Sequence, residues 1–523
     1  MRDIMKLARI GLYQPASVTG RYTPYLIELL EQERVTHTVL PSLPSIGEFD
    51  LVLRAGGSDA LSSDELVYVS TGGRLLAFSL DEGPEGAAKA FGQGHAAVKG
   101  QPLRFFAGRQ LRGANLERGS AAAAETSAPL VQEFTIGRGR LIHMTIDVAD
   151  TIVRLQQGVG LARQDRPSAP DGTADTAEGI LKADDTTTLD WIEDRGKTAT
   201  GQPYFPFAHA DRWRQWLVEE IVGIVSPRVL LRPAAWPGGA PAVLHLSLDS
   251  DDNDPHHAET ALALLDSLDL RATWCELEGG YGGEVQKRVH AAGHEVALHY
   301  NALAMEGGVW SEETFVQQLA RHNAHAPVNA VSNKNHYTRF EGWDEFYQWC
   351  DAGGIRLDGT RGPSKMGNRG FLYGTSFPHR PAAFDPGAPR HRVYSLPFQT
   401  ADIDFEPQRW GDNSIIGPLV DEVMAVGGCL HLLNHQRWLH KFASVREALT
   451  RALSASRSRG MVAMTGKEIA DWIDALRAVR VTAAGNGIVA ESLPADAVLE
   501  VLSADGTRRL PPPTPDGAVL LAS

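Results

Sequence analysis

The sequence predicts an α/β protein with three parts: an N-terminal doubly wound parallel sheet, a distorted (β/α)7 barrel, and a small C-terminal β appendage. Three observations predict it. Apolar runs of strand length alternate with amphipathic helical stretches over the first 150 residues, and do so again from about 241 to 470. A Pro/Gly linker, "RPAAWPGGAP" (232–241), separates the two alternating regions. After "KEIADWIDALRAV" the rhythm changes to short strands and turns. The expected units are 1–155 for the first α/β domain, 156–238 for a loop and helical connector, 239–478 for the barrel and 479–523 for the appendage.

In the first unit, "ARIGLYQ" is a strand and "RYTPYLIELLEQE" an amphipathic helix; "THTVL" and "DLVLRAGG" are short apolar strands. "SSDELVYVSTGG" is a helix with a serine start and a glycine stop, and "EFTIGRGRLIHMTID" is a hairpin through its Gly-Arg-Gly turn. The stretch from about 160 to 207, rich in Asp, Thr, Gly and Pro, is expected to be a long exposed loop. The helix "ADRWRQWLVEEIVGIV" carries Trp213, Trp216, Leu217, Ile221 and Val225 at helical spacing, a packing stripe. Strands then recur as "AVLHLSLD", "RATWCEL", "HEVALH", "VNAVSNKNH" and "CLHLLNH" with helices between them, about seven repeats at the size of a parallel barrel. In the appendage, Asp505-Gly506 marks a hairpin.

Composition narrows the function. A chain of 523 residues with a net charge of −14 is an unsuitable nucleic-acid binder, although a local basic pocket is compatible with that total. Cys275, Cys350 and Cys429 are far apart and form neither a disulfide framework nor a cysteine zinc site. With no apolar leader and no long apolar run, the expectation is a cytoplasmic protein that does not span a membrane. A homo-oligomer is compatible with the sequence.

Chemistry in a barrel of this kind sits where strands end and loops begin. The first barrel strand runs into Asp249-Ser250-Asp251-Asp252-Asn253-Asp254, a run whose mutual repulsion a cation would relieve. Asp249 and Asp251, two apart, share a side if the chain is extended there. Later strands end at His299, His336 and His435. One carboxylate with two imidazoles matches a catalytic zinc set with a position left for water. His256 and His257, just beyond the acidic run, are alternative ligands, and His431 is expected to pack inside the barrel.

Two resemblances accompany these patterns. "FDLVLRAGG…LSSDELVYVSTGGRLLAF" resembles the class I glutamine-amidotransferase-like domains; enzymatic members use an elbow cysteine, and no cysteine precedes Cys275, so the resemblance implies a structural or binding role here. Residues 240–470, with "SLDSDD", "GHEVALH" and "LHLLNH", resemble the polysaccharide deacetylase family of carbohydrate esterases, the NodB-homology domain. That resemblance implies Asp249 as base, Asp251 and His299 as metal ligands and His435 as general acid, tuned by Asp402 or Asp404. Leu303 stands where the family carries a further histidine. His336, in "NKNHYTRF", either supplies the third ligand or replaces the family's orienting arginine. Asp358, Arg361 and His379, in a loop dense in Gly, Arg and His, are the candidates for substrate contact. The implied function is a metal-dependent hydrolase removing an N- or O-acyl group from a carbohydrate or related amide, with one divalent ion: zinc, nickel or cobalt. The alternative is a glycan- or nucleotide-sugar-binding pseudoenzyme.

Overall fold

The computed structural model describes residues 6–15, 22, 25–55, 60–78, 80, 105–106, 109–110, 131–160, 169–174, 180–385, 387–407, 411–484, 487–510 and 518–519. The first sheet has the strand order Thr38–Leu40, Ile10–Tyr13, Leu51–Arg54, Arg74–Phe78, Gly139–Met144, Val131–Ile136. Every neighbouring pair is parallel except the last, the expected hairpin. Its turn needs glycine: Gly137 has φ +58°, and a Cβ there would lie 2.3 Å from the Ser70 carbonyl oxygen. The helix Ser63–Ser70 starts in a capping box, with the Glu65 N–H donating to Ser62 Oγ and the Ser62 N–H to Glu65 Oε2. Glu65 Oε1 also accepts from Arg54 Nε at 2.7 Å, so a buried ion pair ties this helix to the end of a fully buried strand.

The connector departs from the expectation of an exposed loop. Residues 161–168 and 175–179 lie outside the described residues, but Ala183, Asp184, Asp185, Thr186 and Leu189 are buried. Their acidic composition is misleading because the charges are satisfied internally. Asp184 accepts from the Ser364 and Lys365 N–H groups and from Ser364 Oγ, and Asp185 pairs with the Lys365 ammonium. The helix His209–Val225 buries its expected Trp213, Trp216, Leu217, Ile221 and Val225 stripe.

The second sheet is parallel throughout, in the order Tyr394–Ser395, Leu357–Asp358, Ser332–Asn335, Glu295–Tyr300, Thr273–Glu276, Val243–Asp249, Cys429–His435, Thr400–Ala401, with Val462–Ala463 beside Val243 and Leu244. In line with the expected distorted (β/α)7 barrel, this is a curled parallel half-barrel sheet, and among the described residues the strands at its two edges do not pair with each other. The chain between those edges crosses the gap without forming a ladder. Leu396 N–H donates to the Asp358 carbonyl on one side and Gln399 N–H to the His431 carbonyl on the other. Pro397, between them, has no N–H to give. The appendage contains the expected hairpin, Leu499–Ser503 with Gly506–Arg509, and its first strand also pairs antiparallel with Leu230–Pro233 of the connector.

Candidate active site

The strand Val243–Asp249 is buried along its whole length and delivers Asp249 to the end of the sheet. The chain then turns, with Ser250 N–H bonded to the Cys275 carbonyl and Asp251 held at φ +50°. Asp249 and Asp251 therefore share a side because of a turn, not because of extended alternation. The rest of the acidic run has other duties. Asp254 accepts from the His256 N–H and caps the helix Pro255–Ser267, whose first residue is a proline. Asp252 lies 3.1 Å from His257 Nδ1, so the two alternative ligand histidines belong to this cap region.

His299 and Lys334 are register partners on adjacent parallel strands, and His299 Nδ1 lies 2.8 Å from the Lys334 carbonyl oxygen. A carbonyl only accepts, so the proton sits on Nδ1 and Nε2 presents its lone pair. That lone pair faces Asp251 Oδ1 at 3.6 Å and Asp249 Oδ2 at 3.7 Å. His336 Nδ1 approaches from the other side, 3.1 Å from His299 Nε2 and 3.5 Å from Asp251 Oδ1, while its Nε2 faces Glu306 Oε2 at 3.5 Å. The turn after Ser332–Asn335 swings the ring into place through two consecutive non-glycine residues at positive φ, Tyr337 (+55°) and Thr338 (+52°). Burial, followed by the neighbouring His299, pushes the His336 pKa down to about 4. Burial alone would raise the Asp251 carboxyl; His435, His299 and His336 outweigh it and hold it well below the usual carboxylate range.

These residues fit a divalent cation. One atom each from Asp251, His299 and His336 lies within 4.8 Å of the others. His299 Nε2 and His336 Nδ1 face each other at 3.1 Å, and the buried Oδ1 atoms of Asp251 and Asp249 have no hydrogen-bond donor among the described residues. A carboxylate and two imidazoles converging in this way are complementary to a divalent cation. His336 is brought to the cluster with Asp251 and His299, as one of its two sequence-based readings expects. Leu303 itself is 1% exposed, and its N–H donates to Asn301 Oδ1.

His435 ends the strand Cys429–His435 as the register partner of Asp249. Asp402 accepts from its Nδ1 at 2.5 Å and its backbone N–H at 2.8 Å, leaving Nε2 facing Asp251 Oδ2 at 3.8 Å. Burial opposes charge on this ring, but Asp402 and Asp251 prevail and push its pKa up to about 10. Of the two candidate tuning carboxylates it is Asp402 that contacts His435; Asp404 takes its hydrogen bond from Asn413. Side-chain exposures of 16% for Asp251 and 18% for His435, against 4% for Asp249, open the cluster to solvent on one side.

The remaining sequence candidates lie deeper. Asp358 is fully buried, accepts from Thr360 Oγ1 and Asn333 Nδ2, and is pushed by burial up to about 6. Arg361 donates to Tyr347 Oη, the Gln157 carbonyl and Thr186 Oγ1, and faces the Phe340 ring. His379 is also fully buried, with Nδ1 3.3 Å from the Phe377 carbonyl. Substrate contact by any of these three would require access that their burial does not provide. His431 packs inside as expected, between Ser247 Oγ and the Leu396 carbonyl. Two residues went unrecognised in the sequence. Glu306 faces His336. Lys334 is 1% exposed, has no acceptor for its ammonium among the described residues, and lies 3.8 Å from the centre of the Phe398 ring. Burial lowers its pKa, while Asp249, Cys275, Asp358 and Asp402 oppose that shift.

The fold and site together define a parallel α/β protein with an Asp–His–His cluster, an adjoining carboxylate and a carboxylate-held histidine at the carboxyl ends of its strands. No known family profile matches the chain, and no curated protein does. Solved structures with similarity include a candidate polysaccharide deacetylase from Mycobacterium smegmatis, at 18% identity and a TM-score of 0.36 over 49% of this chain and 97% of that one. Another is the Puue allantoinase, at 15% identity and a TM-score of 0.35 over 48% and 95%. A third is the peptidoglycan deacetylase PdaC from Bacillus subtilis, at 13% identity and a TM-score of 0.29 over 46% and 94%. No helix among the described residues is long and apolar enough to cross a membrane.

Proposed function

We propose that this protein is a metal-dependent hydrolase that removes an acyl group, typically acetyl, from a carbohydrate or a related amide. The observation that carries this reading is that Asp249 and His435, paired in register on adjacent strands, both adjoin the Asp251–His299–His336 cluster. A divalent cation held by Asp251, His299 and His336 would supply Lewis-acid polarisation and lower the pKa of water. Zinc, nickel and cobalt all suit these ligands.

The chain's own groups divide the proton transfers. Asp249 has an oxygen with no hydrogen-bond donor at the end of a buried strand, and it accepts the proton of the attacking water. His435, fixed at Nδ1 by Asp402, presents Nε2–H and protonates the departing amine or alkoxide. Lys334 is buried within electrostatic reach of Asp249, Asp358 and Asp402 and balances their charge.

Acetate release from N-acetylglucosamine oligomers and from O-acetylated xylan, with zinc, nickel or cobalt added, tests the reading. Wild-type protein should release acetate, and Asp249→Asn should retain its metal while losing release. A metal-loaded Asp249→Asn protein of undiminished activity would sink the assignment. Wild-type protein that binds acetylated sugar without releasing acetate would mean the binding-only alternative.

A further inference from the structure

The protein is acidic overall, with a net charge of −14, yet one cleft of about 580 Å³ is lined by five arginines and only two carboxylates. It lies where three segments distant in sequence meet: the end of the helix Tyr25–Gln32, the loop around 380–390 and the end of the helix Gly466–Ala478. Part of the arginine set is anchored. Arg477 donates to Glu28 and Glu31, and Arg390 makes a two-pronged pair with Glu31 at 2.8 and 3.0 Å. Arg380 leans toward Asp474 at 3.6 Å and over the Tyr394 ring.

Arg34 and Arg480 are different. Arg34 donates to the Pro233 and Gln32 carbonyls, and Arg480 to the Arg477 and Val479 carbonyls. Neither has a carboxylate partner among the described residues. The buried Nε–H groups of Arg380 and Arg477 also have no acceptor among the described residues. The backbone points the same way. Arg34 follows the helix end at φ +58°, a position that favours glycine, and burial with the Arg232 guanidinium disfavours its charge more than the Glu33 and Glu500 carboxylates favour it. Arginine stays protonated in this setting, so an incoming anion relieves that cost.

We propose that this cleft binds a small phosphate-bearing anion, held by Arg34 and Arg480 with Arg380, Arg390 and Arg477 as a preorganised frame. Planar guanidinium forks suit phosphate oxygens. Arg380 and Arg390 also border a small, mainly apolar hollow formed with Tyr22, Tyr25, Pro381 and Ala382 and flanked by Glu28 and Asp385, with room for an apolar group attached to the phosphate. The site is separate from the Asp251 cluster, and the proposal stands independently of the hydrolase reading.

Calorimetric titration of the full chain with inorganic pyrophosphate, and in parallel with phenyl phosphate, tests it. The expected result is saturable binding of both at one site per chain. Arg34→Gly, which suits the left-handed backbone, and Arg480→Ala, at an exposed position, should each weaken it about tenfold or more. Asp251→Asn should leave binding intact. Absence of saturable heat at millimolar ligand, affinity unchanged in both arginine variants, or binding lost in Asp251→Asn would each overturn the proposal. Stronger binding of phenyl phosphate than of pyrophosphate identifies an organic ester as the ligand; the reverse order identifies the free anion.

Discussion

His299 Nε2 lies 3.1 Å from His336 Nδ1, and the other nitrogen of each ring faces an acceptor: the Lys334 carbonyl for His299 and Glu306 for His336. Without an ion one facing nitrogen can donate a hydrogen bond to the other, and a shared cation would instead take the lone pair of each ring. Protein purified without chelator is expected to carry one divalent ion per chain by elemental analysis. His299→Ala and His336→Ala should each lower metal affinity by at least the ~10–100-fold typical of weaker outer-shell changes. Full metal content in both variants would exclude this ligand set.

The Asp402–His435 pair makes a separate prediction. Asp402 holds both the ring and the backbone N–H of His435, so its carboxylate fixes the tautomer and the direction of Nε2. Asp402→Asn should lower kcat for acyl release by roughly 10²-fold, within the range expected for one acid–base group, and leave metal content unchanged. His435→Gln should give a similar loss, and the double variant little more, because the two act as a unit. Additive losses would place the residues in independent roles.

Much of this arrangement was legible in the sequence. Asp249, His299 and His435 end apolar runs, and a residue at the end of a parallel strand points its chemistry at the loop face. The hairpin at Gly137-Arg138 and the capping box at Ser62 were readable for the same local reason. Relationships between distant segments were not. The burial of Asp184 and Asp185 depends on Ser364 and Lys365, some 180 residues away, so local composition suggested solvent. The open edge of the second sheet is set by how residues 396–399 cross between two strands, which periodicity does not encode. Lys334 sits in the polar string "NKN" at the end of the expected strand "VNAVSNKNH", and register against His299 carries it into the interior.

That placement of Lys334 has a measurable cost and use. Its ammonium is buried near Asp249, Asp358 and Asp402, so removing it leaves carboxylates uncompensated in the interior. Lys334→Met is expected to destabilise the fold by about 3 kcal/mol, the loss typical of breaking a buried charge arrangement on one side. Adding Asp249→Asn to it should recover part of that loss, because the two sites are coupled. Urea unfolding of the two single variants and the double variant measures the coupling; strictly additive losses would mean that Lys334 does not balance Asp249.

His391 supplies a pH prediction away from the metal cluster. Its Nδ1 lies 3.1 Å from Asp351 and its Nε2 3.0 Å from Asp344, so both nitrogens are protonated when the ring bridges the two carboxylates. Burial opposes that charge, but the hydrogen bonds to Asp344 and Asp351 win and push the pKa up to about 9. The folded value is raised above the unfolded value of ~6.5, so the stabilisation is fully present below pH ~6.5 and is lost as pH rises through about 9. The carboxyls of Asp344 and Asp351 are lowered against the opposing effect of burial, chiefly by the same histidine, so their contribution is present above the ordinary aspartate range and falls away in acid. Wild type should therefore exceed His391→Gln in unfolding free energy by on the order of 2 kcal/mol near pH 6. The difference should shrink toward zero by about pH 10, as the native ring gives up its proton. Chemical denaturation of both proteins across that range measures it, and a gap that stays constant from pH 6 to pH 10 would show that His391 contributes through packing and not through its charge.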